Sequence, residues 1–481
     1  MGLRHAFAWK TLQFVVILLI ELGGLAVLAR LITPVEMGIY AAAFALLRFG
    51  QFIGNFGLYN VILRQDVLDL DFRRHIMGLT GLASLSVTLV YIAVIWIWDF
   101  GRPENILILL LPVIPLAALS MPANAYLVRE MRFQMQFRLR LVAAILFPLC
   151  AIPLAYFGMG PVSLAIGTLV SSAVFAVLSV WATGRMFFVR PSLRVGLPML
   201  QFASTLFLLN GIREAREATT TLLIGRLVGL GGLGQYNRAT ELQTKANQVI
   251  SETVMPVLTP HLFNNARRGK PELRFEMLRA LEYITVLAWP LAATIIILGP
   301  TVVAVVLGDQ WGHAGQIFSV MGLGLATQSV GGILSTAAIA LNQEKKILKL
   351  SILNFTVSMI VVVSLASHGL IRMLFVLILV QWAIAAFQYL IVAKQLSFGL
   401  KDIRLKVWRS AAVTGFVVVG SAAFMAITQE LSPPWRMVSG LLVVSLIWLA
   451  GLYLAKHPLL HEVVSLAAKI VNPKKPSFPE A

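Results

Sequence analysis

Long uninterrupted runs of apolar residues dominate this sequence of 481 residues. Most runs have the roughly 20 residues that a helix needs to cross the hydrocarbon of a bilayer. They do not alternate in polarity, as the strands of a closed barrel would. Because every backbone polar group must be satisfied inside lipid, such runs are expected to be helical. We predict an all-α polytopic membrane protein with about 14 transmembrane helices, at residues 11–29, 38–62, 76–98, 105–128, 141–158, 161–183, 198–224, 236–262, 280–307, 314–341, 348–366, 373–393, 410–428 and 437–455.

Composition excludes a soluble fold of this length. Hydrophobic residues make up 58% of the chain and charged residues 12%, against about 25% charged residues in typical soluble domains. The mean hydropathy is +0.85, so the polar residues are too few to cover the surface of a soluble protein. No segment between the runs is long enough to hold an enzyme domain, and we predict that the chain is not an enzyme.

The basic residues are concentrated in the segments between the apolar runs. A net charge of +18 would suggest nucleic acid as a partner in a soluble protein, but here it is explained by topology. With the N-terminus placed in the cytoplasm, the inside segments hold 29 Lys and Arg residues and the outside loops five. This bias predicts a multi-pass protein of the bacterial inner membrane with both termini cytoplasmic. No small-residue cleavage pattern follows the first run, which we expect to be a membrane helix.

The sequence contains an internal repeat. RLITPVEMGIY, residues 30–40, matches RLVGLGGLGQY, residues 226–236, at an offset of 196, and Glu21 and Glu217 lie nine residues before the two arginines. A second match joins LSMPANAY, residues 119–126, to LSTAAIAL, residues 334–341. We predict two parallel six-helix lobes related by a pseudo-two-fold axis along the membrane normal. The lobes are 1–195 and 196–400, followed by two further helices at 401–455 and a cytoplasmic tail at 456–481.

Charged residues interrupt the apolar pattern in the first and second predicted helices of each lobe. Intramembrane charges are costly and usually face a cavity or a partner, and arginine suits phosphate because it binds bidentately and keeps its charge when desolvated. Arg48, Gln51 and Asn55 share one helical face. We predict a cationic cavity between the lobes. Its anion-binding candidates are Arg48, Arg213, Arg216, Arg238 and Lys245, and the candidates for ion coupling or charge balance are Glu21, Glu214, Glu217, Glu241 and Glu252.

A structural interpretation of the same charges stays open. Arg213 and Glu217 are spaced i, i+4, and Arg238 and Glu241 i, i+3, so each pair can satisfy itself on one helix. Near a membrane surface, Arg238 can also extend its side chain toward the water.

Sequence motifs for catalysis or metal binding do not occur. The sequence has no GxxxxGK[ST], HExxH or CxxC pattern, which argues against nucleotide hydrolysis by the P-loop route and against these metal sites. The single cysteine, Cys150, excludes a disulfide framework. We therefore predict no catalytic residue, no metal and no cofactor, apart from coupling to protons or sodium ions.

Three stretches resemble one family of membrane proteins: RLITPVEMGIY at 30–40, IGRLVGLGGLGQYNRA at 224–239 and VLGDQW at 306–311. Together with Asn55 to Leu58 and Arg64, they are similar to the polysaccharide transporter family, the Wzx-like oligosaccharide flippases of the multidrug/oligosaccharidyl-lipid/polysaccharide exporter superfamily. The resemblance extends over residues 5 to 455.

The resemblance implies a function. It implies a flippase that turns undecaprenyl-pyrophosphate-linked oligosaccharide repeat units from the cytoplasmic to the periplasmic leaflet, for exopolysaccharide, capsule or O-antigen (lipopolysaccharide) synthesis. It also implies ion antiport, and a polysaccharide polymerase and a chain-length regulator as partners. Two alternatives stay open: a drug/cation antiporter of the same superfamily, and a polytopic glycan ligase or polymerase. The first predicts twelve spans and an acidic cavity, and the second a large periplasmic loop.

Overall fold

The computed structural model describes residues 3–55, 58–64, 68–97, 101–184 and 197–460. Within these ranges it contains helices with short connections and no β-strand, which confirms the all-α prediction. The first eight helices are α1 Leu3–Leu31, α2 Pro34–Asn55, α3 Leu58–Arg64, α4 Leu70–Ile97, α5 Pro103–Leu110, α6 Val113–Arg129, α7 Phe133–Tyr156 and α8 Pro161–Ala182. The others are α9 Leu197–Leu227, α10 Leu230–Arg268, α11 Lys270–Leu307, α12 Gly312–Ala340, α13 Glu344–Leu365, α14 Leu370–Leu396, α15 Leu400–Ile427 and α16 Pro433–Leu454.

Twelve helical segments of the described ranges are long and apolar enough to cross a membrane. The two predicted spans at 198–224 and 236–262 are helical as α9 and α10, but they are not among the twelve. These are the helices with most of the intramembrane charges, which lower their mean hydropathy. The chain is a multi-pass membrane protein, and the count of fourteen spans stays a prediction.

Several helix ends differ from the predicted limits. The predicted span at 105–128 is divided into α5 and α6 at Pro112, which precedes α6 and has no N–H to continue the helix. The predicted basic loop near residue 270 is helical, because α10 ends at Arg268 and α11 begins at Lys270. Only Gly269, with φ +154°, separates them. Each of these two helices is about 57 Å long, so their charged ends extend beyond a hydrocarbon core of about 30 Å. The predicted tail beyond residue 460 lies outside the described residues.

The helices form two compact units. The first comprises 1–245, 306–317 and 343–380, and the second 246–305, 318–342 and 381–481. These units are defined by contacts and cut through α10, α12 and α14, whereas the predicted lobes are defined by the sequence repeat. The lobe boundaries therefore stay a prediction.

In the first unit, α2 is the central helix and packs against α4, α5, α6, α8 and α9. Small residues let its neighbours approach, and the run Ala41 to Ala43 is buried. Polar side chains on this helix are satisfied locally: the hydroxyls of Tyr40 and Thr168 on α8 lie 2.8 Å apart. Tyr91 on α4 donates a hydrogen bond to the carbonyl of Leu46, also at 2.8 Å.

In the second unit, the hairpin of α15 and α16 packs on α11. Val286, Val413 and Leu452 form a buried apolar cluster, and Trp448 donates a hydrogen bond from Nε1 to the carbonyl of Val286 at 3.0 Å. The buried hydroxyl of Thr285 donates to Ser410 Oγ at 2.9 Å. Apolar contact and pairing of buried hydroxyls therefore hold this hairpin in place.

Gly38 and Gly234 each pack against the segment that contains the other glycine. A Cβ added to Gly38 would lie 1.8 Å from the carbonyl oxygen of Leu230, and one added to Gly234 would lie 1.8 Å from that of Pro34. Gly38 and Gly234 are equivalent at the offset of 196, and so are Pro34 and Leu230. The N-terminal turns of α2 and α10 thus cross in a locally two-fold contact that only glycine permits.

Substitution at this glycine crossing should destabilise the protein. We expect Gly38→Ala or Gly234→Ala to cost about 1–3 kcal/mol or more, because the added methyl displaces backbone rather than a flexible side chain. Gly23→Ala is the matched control, since no atom lies within 4 Å of its added Cβ. The measurement is the thermal unfolding midpoint of purified protein in detergent. Equal midpoints for Gly38→Ala and Gly23→Ala would contradict the crossing.

A buried histidine next to α16 predicts acid sensitivity. His457 is 1% exposed, packs on Tyr283, and accepts a hydrogen bond at Nδ1 from the N–H of Leu459. Burial, aided by Arg409, lowers the pKa of His457 from 6.5 to about 4. The unfolded chain therefore binds the proton first as the pH falls, and stability should decline from about pH 6.5 toward pH 4.

The check is the unfolding midpoint at about pH 7.5 and about pH 5. His457→Gln should show a smaller decrease between the two pH values than the wild type. Exposed His368 supplies the control, and His368→Gln should keep the wild-type decrease. The same decrease in all three proteins would remove His457 as its source.

Candidate substrate-binding site

The predicted charged residues lie on α1, α2, α9 and α10, and those up to Lys245 belong to the first compact unit. A charged side chain at bilayer depth is costly unless a protein partner or a hydrated cavity satisfies it. Four of the five predicted cations have a carboxylate within 4 Å.

Arg48 on α2 bridges to α9. Its Nη2 lies 3.0 Å from Glu214 and 3.5 Å from Glu217. Arg213 also approaches Glu214, at 3.7 Å. The Arg48 side chain remains 48% exposed and that of Arg213 59% exposed, so both guanidinium groups are accessible although they are paired.

Lys245 on α10 pairs with Glu21 on α1 through its Nζ. The lysine side chain is 17% exposed and the glutamate side chain 38% exposed. In this half-buried pair each charge satisfies the other. Removing one partner would leave the other charge unpaired in a medium of low dielectric constant. This pair was not evident from the sequence, since 224 residues separate its members.

Arg238 is the buried member of the set. Its side chain is 4% exposed, donates from Nη1 to Glu241 at 2.7 Å, and lies over the ring of Trp311. Its Nε and Nη2 have no hydrogen-bond partner among the described protein atoms. This geometry favours the structural interpretation of the Arg238–Glu241 pair.

The other two predicted residues have less defined surroundings. Arg216 is partly buried on α9, with Glu217, Tyr236 and Arg213 as electrostatic neighbours. The side chain of Glu252 on α10 lies outside the described residues. The described site therefore holds five cations and four carboxylates, Glu21, Glu214, Glu217 and Glu241. It is a paired cluster rather than a set of free positive charges.

Residues not predicted as part of the site connect the three family-like stretches. Gln310 and Trp311 donate hydrogen bonds from Nε2 and Nε1 to the carbonyl of Ala29, at 2.5 and 2.7 Å. Gln235 donates to the carbonyl of Gln310 at 2.7 Å and accepts from the N–H of Ala314 at 2.8 Å. The bonds from Gln310 and Trp311 satisfy a carbonyl in the last turn of α1, where the carbonyls have no partner within the helix. The polar group DQW between two apolar runs was the signal in the sequence.

No group of three or more His, Cys, Asp or Glu side chains that could hold a metal occurs in the described ranges. An apolar pocket of about 340 Å³ lies beside Glu21, between α1 and α7, and is lined by Ile20, Ile145, Pro148, Leu149, Ile152 and Pro153.

This bundle of membrane helices has the fold of solved transporters. The chain superposes on a structure titled "Lipid II flippase MurJ, inward closed conformation" with a TM-score of 0.71, over 92% of this chain and 97% of that one, at 12% identity. An inward-facing multidrug resistance MATE family transporter of the MOP superfamily gives 0.57 over 82% of this chain and 95% of that one, at 15% identity. At these identities the likeness shows the fold.

The family follows from the sequence. Residues 27–316 match the family described as "Polysaccharide biosynthesis protein", and this chain belongs to that family. Among curated proteins it is 26% identical to the succinoglycan biosynthesis transport protein ExoT of Rhizobium meliloti (strain 1021), over 62% of this chain and 61% of that protein. It is 23% identical to the lipopolysaccharide biosynthesis protein WzxC of Escherichia coli (strain K12), over 69% of this chain and 68% of that protein.

The family match confirms the predicted family, and the two curated relatives are named a transport protein and a lipopolysaccharide biosynthesis protein. They fit a multi-pass protein of the inner membrane. The chain spans just over three fifths of the length of the first of these relatives, so substrate and partners are considered as proposals below.

Arg238 offers a test between a structural and a ligand-binding role. Arg238→Met leaves Glu241 without its partner, and we expect a loss of stability of about 3–5 kcal/mol. Arg48→Met removes a half-exposed group and should cost less than about 1 kcal/mol. The measurement is the unfolding midpoint in detergent. Arg238→Met/Glu241→Met should recover part of the loss, and a double variant no better than Arg238→Met would count against the pair.

Proposed function

We propose that this protein is a flippase for oligosaccharide repeat units carried on undecaprenyl pyrophosphate. It moves them from the cytoplasmic to the periplasmic leaflet for exopolysaccharide, capsule or O-antigen synthesis. The observation that carries the proposal is the position of Arg48 and Lys245, one on the second helix of each repeat, each held across the repeats by a carboxylate. Cations at bilayer depth suit a pyrophosphate group, which must leave water to cross the membrane.

The mechanism requires alternating access. The long helices α10 and α11 and the prolines at 148, 153, 290 and 300 within helices allow bending between two states. We propose coupling to a proton or sodium gradient, with Glu21, Glu214, Glu217, Glu241 or Glu252 as the groups that exchange cations. Both termini are placed in the cytoplasm by the distribution of Lys and Arg. A polysaccharide polymerase and a chain-length regulator are the proposed partners downstream.

A drug/cation antiporter is the alternative that the fold also permits. A site for organic cations should be dominated by unpaired acids. Here the described carboxylates are fewer than the cations and are paired with them. The charge balance therefore favours an anionic substrate.

The test is complementation of a deletion strain. Lipid-linked repeat units should accumulate on the cytoplasmic side without the protein, and the wild-type chain should restore polymer. Arg48→Ala and Arg213→Ala should reduce polymer output by about tenfold or more, because each removes a cation that meets the pyrophosphate. Exposed Arg102 provides the control, and Arg102→Ala should complement fully.

Membrane abundance of each variant must be matched by immunoblot. Full polymer output from both Arg48→Ala and Arg213→Ala would overturn the site while leaving the family membership intact. A deletion strain that produces normal polymer and accumulates no lipid-linked repeat would overturn the function itself.

A further inference from the structure

Two ion pairs join the two repeats, and their members are related by nearly the same sequence offset as the two glycines of the crossing. Glu21 and Glu217 occupy equivalent positions at an offset of 196, and Arg48 and Lys245 differ from equivalence by one residue. Glu217 on α9 meets Arg48 on α2, and Glu21 on α1 meets Lys245 on α10. In each case the acid comes from the first helix of one repeat and the cation from the second helix of the other.

Both cations also lie at nearly the same distance from the glycine crossing. Arg48 and Lys245 follow Gly38 and Gly234 by ten and eleven residues, which is about 15 Å along a helix. The local two-fold relation therefore gives each repeat one cation, paired with a carboxylate, at a matching position beyond the crossing.

An anion that binds the paired N–H groups of these cations must replace the carboxylates. A carboxylate and a phosphate oxygen are both acceptors for the same N–H groups of arginine and lysine. The two cannot occupy one donor at once, so the glutamates compete with the ligand. The exposure of Arg48 and of Glu217, 48% and 47%, leaves room for such an exchange.

We infer that Glu21, and Glu214 together with Glu217, are placeholder anions: they pair with Lys245 and Arg48 and are displaced when pyrophosphate binds to these two cations. This inference rests on the proposed function and adds to it the groups that compete with the ligand for the site. The step makes and breaks no covalent bond, and each of the two basic side chains exchanges carboxylate oxygens for phosphate oxygens.

Placeholders have an unusual mutational signature. Neutralising a residue that binds a ligand weakens binding, whereas neutralising a competitor strengthens it. Glu21→Gln and the double variant Glu214→Gln/Glu217→Gln keep the shapes of the side chains and remove the negative charges beside Lys245 and Arg48. Each should lower the Kd for pyrophosphate by about fivefold, the factor that corresponds to the upper end of an exposed ion pair.

The experiment is isothermal titration of inorganic pyrophosphate into the full-length protein in detergent. The matched control is Glu430→Gln, which removes an exposed carboxylate outside the site and should leave the Kd unchanged. Arg48→Met and Lys245→Met should each raise the Kd by about tenfold. Should Glu21→Gln fail to fold, Glu21→Asp retracts the carboxylate by one methylene and should give a smaller gain in the same direction.

The outcomes separate this inference from the proposed function. If Arg48→Met and Lys245→Met weaken binding but both glutamine variants bind like the wild type or more weakly, the placeholder role is wrong and the substrate site stands. If the wild type binds no pyrophosphate and Arg48→Ala complements the deletion strain, the inference and the substrate site both fail, whereas the proposed function fails only if the deletion strain makes normal polymer. Tighter binding in Glu21→Gln and in Glu214→Gln/Glu217→Gln, unchanged in Glu430→Gln, supports the inference.

Discussion

The hydrocarbon of a bilayer offers no water to a backbone carbonyl or to a side-chain charge, and this constraint explains most of the structure. Helices satisfy the backbone within each segment. Where a helix ends or a charge enters, another part of the protein must supply the partner. Gln310 and Trp311 do so for the carbonyl of Ala29, and Glu21 does so for Lys245. Arg48 and Lys245 thus both meet carboxylates from other helices.

The glycine crossing and the ion pairs follow the same local two-fold relation between the repeats. The repeat brings Gly38 against Leu230 and Gly234 against Pro34, and the same relation brings the second helix of each repeat to the first helix of the other. A contact that depends on backbone proximity leaves little freedom of register, because a shift by one residue would place a Cβ inside a carbonyl oxygen. Arg48 and Lys245 are therefore held at about the same distance from the crossing.

The ion pairs change how the charged residues of these helices are interpreted. A stripe of basic residues on a helix suggests an open cationic cavity, but in the described residues Arg48, Arg213, Arg238 and Lys245 each have a carboxylate neighbour. Burial divides them further. Arg238, covered by Trp311 and bonded to Glu241, contributes to packing, whereas Arg48 remains half exposed and available to a ligand. Sequence position alone did not distinguish these two roles.

The sequence by itself determined the all-helical class, the family and the position of the repeat, because apolar length, the Lys and Arg bias and the RLITPVEMGIY stretch are local properties. It also identified the residues that form the ion pairs within one helix, such as Arg238 and Glu241. Only the tertiary structure decided that Lys245 meets Glu21 and that Arg48 meets Glu214 and Glu217. Those contacts join residues more than 160 positions apart, and helix packing, which no local pattern encodes, sets which faces meet.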